Sequence, residues 1–470
     1  MRRVILSLVA VGLLAAAWIV PASAQTPPSP SPLPGAVASL PTGSITHLVV
    51  IVEENSTFDH VLGWLPGVDG HGTAQYVRQA GGRQVTWSGF STLGPETFVV
   101  PHGKEVLDNG PTAARQAYDH GKMDGFYRAQ RAAGKNPQLS FTDIDQDANA
   151  PWGLLAHQGV VFDRYFSSAM AGSLPNTLNL VAGTTAGRNT GASADFRSLW
   201  DSHIRTIFDA ANRTTEVTWR YYVGGLGQID EQKIQDGAYA QSGQATPSQL
   251  YWAPVLSMRR FWKNPRFAAN VRTQNDLYAD AAAGNLPSIS YVLPQPTSHE
   301  PQVEAPDLRV LSIVNAIRTS PDWTNTAIVI TWDDWGGYYD HVAPPEGSAG
   351  QLGFRVPMIL LSPYAEQNLV SHEVLDHSSI PAFAASLFPD LTWNRTPHTD
   401  ELSGVWTTTP DDATQITSLQ HEPPYAAAGL QHASSVFVLY LMTLVVITGV
   451  LFALGVTFRA ARPGEGNRPQ

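Results

Sequence analysis

The sequence predicts an α/β fold built around a mainly parallel β-sheet. Two short runs rich in Val and Ile, residues 47–52 and 327–331, are typical of strands in the core of a sheet. Residues 308–318 have the apolar spacing of an amphipathic helix, which fits the crossover that connects two parallel strands. Further apolar runs predict strands at residues 160–166, 288–293 and 356–361, and residues 113–133 predict a helical segment.

The N-terminus has the layout of a secretory signal peptide. Arg2 and Arg3 precede an apolar run over residues 4–20, and small residues follow at Ala22 and Ala24, as expected before a cleavage site. We therefore expect residues 1–24 to be removed on export, and a lasting membrane anchor is the alternative. Residues 25–42, where Pro and Ser recur, predict an extended linker.

The C-terminus predicts a transmembrane helix. Residues 436–458 carry no charged side chain, and 23 helical residues extend about 34 Å, enough to cross a hydrocarbon core of about 30 Å. Arg459 and Arg462 follow at once, which predicts a cytoplasmic tail at residues 459–470. The expected protein therefore crosses the cell membrane once and carries its main domain outside the cell.

Composition sets the remaining organisation. Residues 43–400 are numerous enough for a large domain, and residues 401–435 predict a juxtamembrane stalk. Residues 188–275 hold scattered Trp, Tyr, Gln and Arg with little periodicity, so we interpret them as an insertion or a cap over the site.

The chain has no cysteine, which excludes disulfides and thiolate metal sites. Its formal net charge of −11 disfavours nucleic acid as a partner.

Acidic residues follow the two main strand candidates where each run ends. Glu54 and Asn55 come after the first run, and Asp333 and Asp334 come after the second. Ligands collect beyond the carboxyl ends of strands in open α/β sheets, and oxygen ligands suit hard divalent cations. The pattern predicts a metal site, although acidic residues at such positions also serve as helix N-caps or solvated loop ends.

Seven segments along the chain match the motifs of one protein family, in that family's order. They are VEENSTFDHVLG at 52–63, YDHGKMDGF at 118–126, SLPNTLNLVAGT at 173–184, the segment around His299, VNAIRTSPDWTNTAIVITWDDWGGYYDHVAPP at 314–345, GFRVPMILLSPYA at 353–365 and LDHSSIPAFAASLFP at 375–389. In these segments the chain resembles the bacterial phosphoesterase family of non-specific phospholipases C and certain acid phosphatases. The resemblance implies an alkaline-phosphatase-like three-layer sandwich and a phosphoester hydrolase activity.

The resemblance also implies a metal site and a nucleophile. It assigns one divalent cation, of unspecified identity, to four residues, and a shorter Asp stands at the last of them where the family usually has Glu. The nucleophile falls on Ser173, two positions before a Pro-Asn pair, although a Gly-Ser-Leu-Pro-Asn segment taken alone is typical of a turn. The resemblance implies that the reaction proceeds through a covalent phosphoseryl intermediate. The four implied metal ligands are Glu54, Asn55, Asp333 and Asp334.

Other expected site residues follow from the same resemblance, and some depart from the family pattern. His299 is the expected second catalytic residue, and Asn176 is expected to bind substrate. Pro111 stands where we align the family's loop histidine, and His102 is the nearby candidate to bind substrate in its place. Thr177 replaces a basic residue that commonly follows the Pro-Asn pair.

Two functions remain open from sequence. The first is a membrane-tethered hydrolase of phospholipids or small phosphomonoesters, either phospholipase C-like or acid phosphatase-like. The second is a non-catalytic surface protein that uses the same scaffold to bind a ligand.

Overall fold

A mixed β-sheet of eight strands forms the core of the described residues. The computed structural model describes residues 40, 43–70, 75–80, 83–88, 91–92, 106–143, 151–185, 199–224, 226, 249–263, 265–294, 306–347, 350–393, 397, 402, 404–407 and 410. All of them belong to one compact unit, Ala38–Gln470.

The strands β1 to β16 are numbered along the chain. They are His47–Glu53, Gln75–Ala80, Arg83–Ser88, Ser91–Thr92, Thr142–Asp143, Val160–Phe162, Tyr165–Phe166, Trp219–Val223, Val271–Thr273, Ile289–Leu293, Thr326–Trp332, Glu346–Gly347, Gly350–Gln351, Met358–Leu361, Leu369–Ser371 and Leu375–Asp376. The central sheet has the order β15-β6-β14-β11-β1-β10-β8-β9, and the other strands form short two-stranded sheets.

Strand β1 lies inside the sheet because strands pair with both of its edges in parallel. Val50 stands opposite Val329 of β11 and Tyr291 of β10. The apolar residues of β1 are buried, which explains why both faces of the strand carry Val, Leu or Ile. Strand β14 alone runs antiparallel to both of its neighbours in this sheet. The predicted α/β fold with a mainly parallel sheet is therefore confirmed.

The helices α1 to α12 of the described residues are also numbered along the chain. They are Phe58–Leu62, Pro111–Tyr118, Phe126–Ala132, Pro151–His157, Ser173–Ala182, Ile207–Ala211, Gln249–Trp252, Arg259–Lys263, Pro265–Asn270, Gln274–Ala283, Pro306–Arg318 and Ser379–Leu387. Helix α11 is the predicted crossover, since it connects the parallel strands β10 and β11 on either side of β1.

Helices cover both faces of the sheet. The Tyr291 hydroxyl donates to the Leu180 carbonyl of α5 (2.7 Å), so α5 lies on the face of Tyr291. Trp332 points to the opposite face, because it stands three residues beyond the in-register partner of Val50. Its ring lies 4.7 Å, between centroids, from that of Trp152 in α4.

The helical segment predicted over residues 113–133 is divided into α2 and α3. Asp119 (φ 40°) and His120 (φ 58°) adopt left-handed conformations that no α-helix accommodates, and they end α2. The two helices pack around Phe126 in a small apolar cluster with Trp335 and Phe354. This cluster supports the segment that follows β11.

The described parts of the region interpreted as an insertion or a cap contribute to the core. Its strands β8 and β9 extend the central sheet beyond β10. Trp200, Trp219 and Trp252 are buried, and the Trp219 ring stacks on Phe208. The interpretation of residues 188–275 as an insertion or a cap stays a prediction, because residues 188–198 and 227–248 lie outside the described residues.

The two predicted membrane-related segments lie outside the described residues. These segments are the signal peptide at 1–24 and the transmembrane helix at 436–458. Within the part of the chain that the structure describes, no helix combines the length and apolar character needed to span a bilayer.

Candidate active site

The ends of β1 and β11 bring the predicted metal ligands together. Glu53 pairs in register with Trp332, so the residues that follow each strand become neighbours. The Asn55 amide N–H donates to Asp333 Oδ1 (2.9 Å), and the Asn55 side-chain Nδ2 donates to Glu54 Oε2 (3.1 Å). Asn55 thus contacts a carboxylate from each segment.

Asp334 joins this group to the start of helix α5. The Ser173 hydroxyl donates to Asp334 Oδ2 (3.1 Å), and the Gly336 amide donates to Asp334 Oδ1 (2.8 Å). Ser173 is the first residue of α5, after the N-cap Gly172, which makes no side-chain capping bond. The hydroxyl therefore lies where the first backbone amides of a ten-residue helix point toward an anion.

The side chains of Glu54, Asp333 and Asp334 lie in this site without a basic partner among the described residues. Burial is the largest cause that raises the pKa of each carboxyl, and repulsion from Asp333 adds to the shift at Glu54 and Asp334. Asp333 Oδ2 is buried and accepts no hydrogen bond from a described residue. Among the described residues no Lys, Arg or His forms an ion pair with any of the three. An excess of buried negative charge with an unpaired oxygen is the environment that a divalent cation stabilises.

The backbone of the site depends on one left-handed asparagine and one glycine. Asn55 has φ 58°, a region that Asn tolerates better than most residues. Gly336 has φ 62°, and a Cβ there would lie 2.1 Å from the Asn55 carbonyl oxygen. The Asp-Asp segment can therefore approach the Glu-Asn segment only because residue 336 is glycine.

His377 supports the site from behind. Its Nε2 donates to the Asp333 carbonyl (2.7 Å), and the Tyr165 hydroxyl donates to its Nδ1 (2.8 Å). Burial lowers the pKa of His377 to about 4, so the ring is neutral at physiological pH. This neutral ring fixes the position of Asp333 without adding charge to the site.

Asn176 and Thr177 are turned toward the backbone. Asn176 Oδ1 accepts from the Ala169 amide (2.9 Å), and its Nδ2 donates to the carbonyls of Ala169, Ala171 and Gly172. These bonds hold the loop before Ser173, and the predicted substrate contact of Asn176 stays a prediction. The Thr177 hydroxyl donates to the Ser173 carbonyl (2.9 Å), which is a bond within the helix.

Asn109 is a site residue that sequence analysis missed. Its Nδ2 lies 2.7 Å from Asn55 Oδ1 and 2.9 and 3.0 Å from the two carboxylate oxygens of Asp334, to which it donates. The resemblance places the family's loop histidine at Pro111, but Pro111 begins helix α2, and Asn109 is the residue of this segment that reaches the site. A polar side chain two residues before a Pro at the start of a helix was the available signal.

The two predicted histidines, His102 and His299, lie outside the described residues. Their predicted roles in substrate binding and catalysis stay predictions.

A second acidic group lies next to the site and is already neutralised. Ligand atoms of Asp59, Asp340 and His341 lie within 4.8 Å of one another, which would suit a metal ion. However, Arg355 donates from Nη2 to Asp59 Oδ1 (2.9 Å) and from Nε to Asp340 Oδ1 (2.9 Å). Since a guanidinium supplies the positive charge, we assign this group to an internal ion pair. The carboxylates of the first group are not clustered as tightly, among the described residues, and have no such arginine.

Known proteins resemble this chain over most of its length. Residues 45–389 match the Phosphoesterase family. Non-specific phospholipase C1 of Arabidopsis thaliana is 26% identical over 394 residues, which cover 74% of this chain and 67% of the plant protein. Phospholipase C A of Mycobacterium tuberculosis is 27% identical over 391 residues, 71% of each chain.

Similarity to solved structures is weaker. A protein of the alkaline phosphatase superfamily from Vibrio parahaemolyticus is 10% identical, covers 77% of this chain and 70% of its own, and superposes with a TM-score of 0.34. A score this low does not establish a shared fold. The assignment of this chain to a protein family therefore rests on the family match.

The α/β fold and the matches to phospholipases C together define a phosphoric ester hydrolase. The chain belongs to the Phosphoesterase family.

Proposed function

We propose that the chain is a metal-dependent phosphoester hydrolase that uses Ser173 as its nucleophile. The observation that carries this proposal is the 3.1 Å hydrogen bond from the Ser173 hydroxyl to Asp334, at the N-terminus of α5. The bond lies beside buried carboxylates that have no basic partner in the part of the chain that the structure describes. A nucleophile, an oriented acceptor for its proton and helix-end amides are the parts that phosphoryl transfer needs.

The acidic group fits a divalent cation. Glu54, Asn55, Asp333 and Asp334 would hold it through side-chain oxygens, and Asp333 Oδ2 has no hydrogen-bond donor among the described residues to compete. A bound cation would lower the pKa of the serine hydroxyl and offset charge on the phosphoryl oxygens. The second acidic group does not require a cation, because the guanidinium of Arg355 already pairs with its carboxylates.

The chain's own groups would direct the reaction. The hydrogen bond to Asp334 directs the Ser173 proton to Oδ2, which leaves an oxygen lone pair to attack phosphorus. Backbone amides at the start of α5 would hold the phosphoryl oxygens. The leaving alkoxide takes a proton from a general acid, for which His299 is the proposed residue. Water then cleaves the phosphoserine ester and returns the serine hydroxyl.

The names of the relatives support phospholipid as the substrate class. The matched proteins from Arabidopsis thaliana and Mycobacterium tuberculosis are phospholipases C, and a phospholipid is a phosphodiester. We therefore propose phospholipase C-like activity, with an acid phosphatase-like monoesterase as the outcome to be tested against it. We also propose that the α/β fold of this chain is of the alkaline-phosphatase-like type.

A substrate panel with and without chelator tests this function. We expect purified full-length protein to hydrolyse bis(4-nitrophenyl) phosphate and phosphatidylcholine vesicles faster than 4-nitrophenyl phosphate. EDTA should remove the activity, and an added divalent cation should restore it, because the carboxylates alone repel the substrate. Preference for the monoester would indicate a phosphatase, and full activity in EDTA would contradict metal dependence.

We also propose that the catalytic domain is extracellular and is tethered by residues 436–458. The support is the uncharged run at 436–458 and the arginines that follow it. Protease added to intact cells should digest the domain and leave an epitope tag after Gln470 protected. Recovery of the intact protein from the cytosolic fraction would contradict this topology.

A further inference from the structure

We propose that Arg355 is a positioning residue for the active site, whose buried guanidinium holds three chain segments in one arrangement. The three segments follow β1, β6 and β11 and lead to Asn55, Ser173 and Asp334. The inference rests on the proposed function of those residues, and its test below does not depend on activity alone.

The Arg355 side chain is fully buried and uses all three of its nitrogens. Its Nε donates to Asp340 Oδ1 (2.9 Å), and its Nη2 donates to Asp59 Oδ1 (2.9 Å). Its Nη1 donates to the carbonyls of Asp69 (2.7 Å) and Asp163 (2.8 Å). The guanidinium also lies 4.8 Å from the centroid of the Phe58 ring. A single planar group thus contacts parts of the chain that are far apart in sequence.

The two carboxylates that Arg355 binds belong to the segments that carry the proposed metal ligands. Asp59 stands four residues after Asn55, and Asp340 stands six residues after Asp334. The segments are also joined directly, because the His341 amide donates to Asp59 Oδ2 (2.8 Å) and the Asp59 amide donates to Asp340 Oδ2 (3.3 Å). A change at Arg355 therefore reaches both ligand pairs.

The third segment leads from β6 to the proposed nucleophile. Arg355 binds the Asp163 carbonyl through its side chain, and its backbone bridges to Phe166. Ser167 makes two backbone hydrogen bonds to the residues just before Arg355. Its amide donates to the Phe354 carbonyl (2.9 Å), and its carbonyl accepts from the Gly353 amide (2.8 Å). These contacts therefore hold the segment that leads to Ser173 against the residues around Arg355.

The shape of the guanidinium matters as much as its charge. Although burial opposes it, attraction to Arg355 and the hydrogen bond from His341 lower the pKa of Asp59, so this carboxylate is ionised. A lysine would retain the positive charge, but its single ammonium cannot contact two carboxylates and two carbonyls in the directions that the planar fork reaches. We therefore expect Lys at position 355 to loosen the three segments relative to one another.

The test compares Arg355→Lys with a charge-free variant and with a control arginine. The charge-free variant is Asp59→Asn/Asp340→Asn/Arg355→Met, in which no buried charge is left unpaired. The control is Arg318→Lys, since Arg318 is also buried but lies in α11, where it binds Gln158 Oε1 (2.7 Å) and lies 5.1 Å from the Trp323 ring centroid. Each full-length variant is assayed on bis(4-nitrophenyl) phosphate and by amide hydrogen exchange.

We expect Arg355→Lys to lower kcat about 100-fold while KM changes little, because small displacements of reacting groups cost this much. Exchange should accelerate in residues 54–59, 163–173 and 333–341 while the centres of β1 and β11 stay protected. The charge-free variant should recover thermal stability but not kcat. Arg318→Lys should leave kcat and these three segments unchanged.

Two results would overturn the inference. One is unchanged exchange in the three segments of Arg355→Lys, which can be measured even if no phosphoester is hydrolysed. The other is recovery of kcat in the charge-free variant, which would mean that Arg355 only balances charge. An inactive wild-type protein would instead contradict the proposed function, and the exchange result would then decide the inference by itself.

Discussion

Ser173→Ala is expected to lower kcat by about 10⁴-fold or more while leaving the protein folded. The covalent step is lost with the hydroxyl, and residual hydrolysis depends on binding groups alone. Folding should survive because Ser173 is the first residue of α5 and Gly172 is the N-cap, and Ala is well tolerated in a helix. Its bond to Asp334 is worth about 1 kcal/mol. Steady-state kinetics and circular dichroism measure the two effects.

Thr177→Val is the matched control for this substitution. The Thr177 hydroxyl lies one helical turn further along α5 and donates to the Ser173 carbonyl, so its removal should leave kcat within a few-fold. Acid-quenched reaction with a ³²P-labelled phosphoester should label the wild-type protein and Thr177→Val but not Ser173→Ala. Labelled Ser173→Ala together with unlabelled Thr177→Val would show that the nucleophile is Thr177.

Asp334→Asn should abolish turnover and yet raise the thermal stability of chelator-treated protein. Burial, and then repulsion from Asp333, raises the pKa of Asp334 well above its usual value. The folded protein therefore favours the protonated carboxyl, and ionisation above its folded pKa costs stability. Asn avoids that cost while keeping a similar shape. Calorimetry in EDTA should show a rise of a few degrees in Tm that grows with pH and vanishes at acidic pH.

Asp59→Asn is the control with the opposite sign. Burial raises the pKa of Asp59, but attraction to Arg355 and the contacts with His341 together outweigh it and lower the pKa overall, so the ionised carboxylate contributes stability that is lost as pH falls through its folded pKa. Its replacement should therefore lower Tm at neutral pH, with or without chelator. Divalent cations should raise the Tm of the wild-type protein but not that of Asp334→Asn. A lower Tm for Asp334→Asn in EDTA would contradict the assignment of this group as a cation site.

Local sequence predicted the elements that position the site. The runs at 47–52 and 327–331 became β1 and β11 because strands buried on both faces need an unbroken apolar sequence. Their parallel pairing then brought Asn55 beside Asp333, as acidic residues after such strands had indicated.

Other features could not be predicted from local sequence. The contact of Asn109 with Asn55 and Asp334 depends on where a loop before helix α2 ends, and the sequence signal led instead to Pro111. The membership of β8 and β9 in the sheet depends on pairing partners, whereas their sequence alone lacks the alternation of a strand.

The amino-acid sequence by itself determined the family, the α/β class and the residue types at the ends of β1 and β11, because burial and strand propensity act on neighbouring residues. Only the tertiary structure decided which acidic group is neutralised within the protein. Asp59 and Asp340 receive the guanidinium of Arg355, while Asp333 and Asp334 receive no basic side chain among the described residues. That outcome depends on contacts between segments hundreds of residues apart, where a buried charge is stabilised only by a partner that the fold brings within hydrogen-bonding distance.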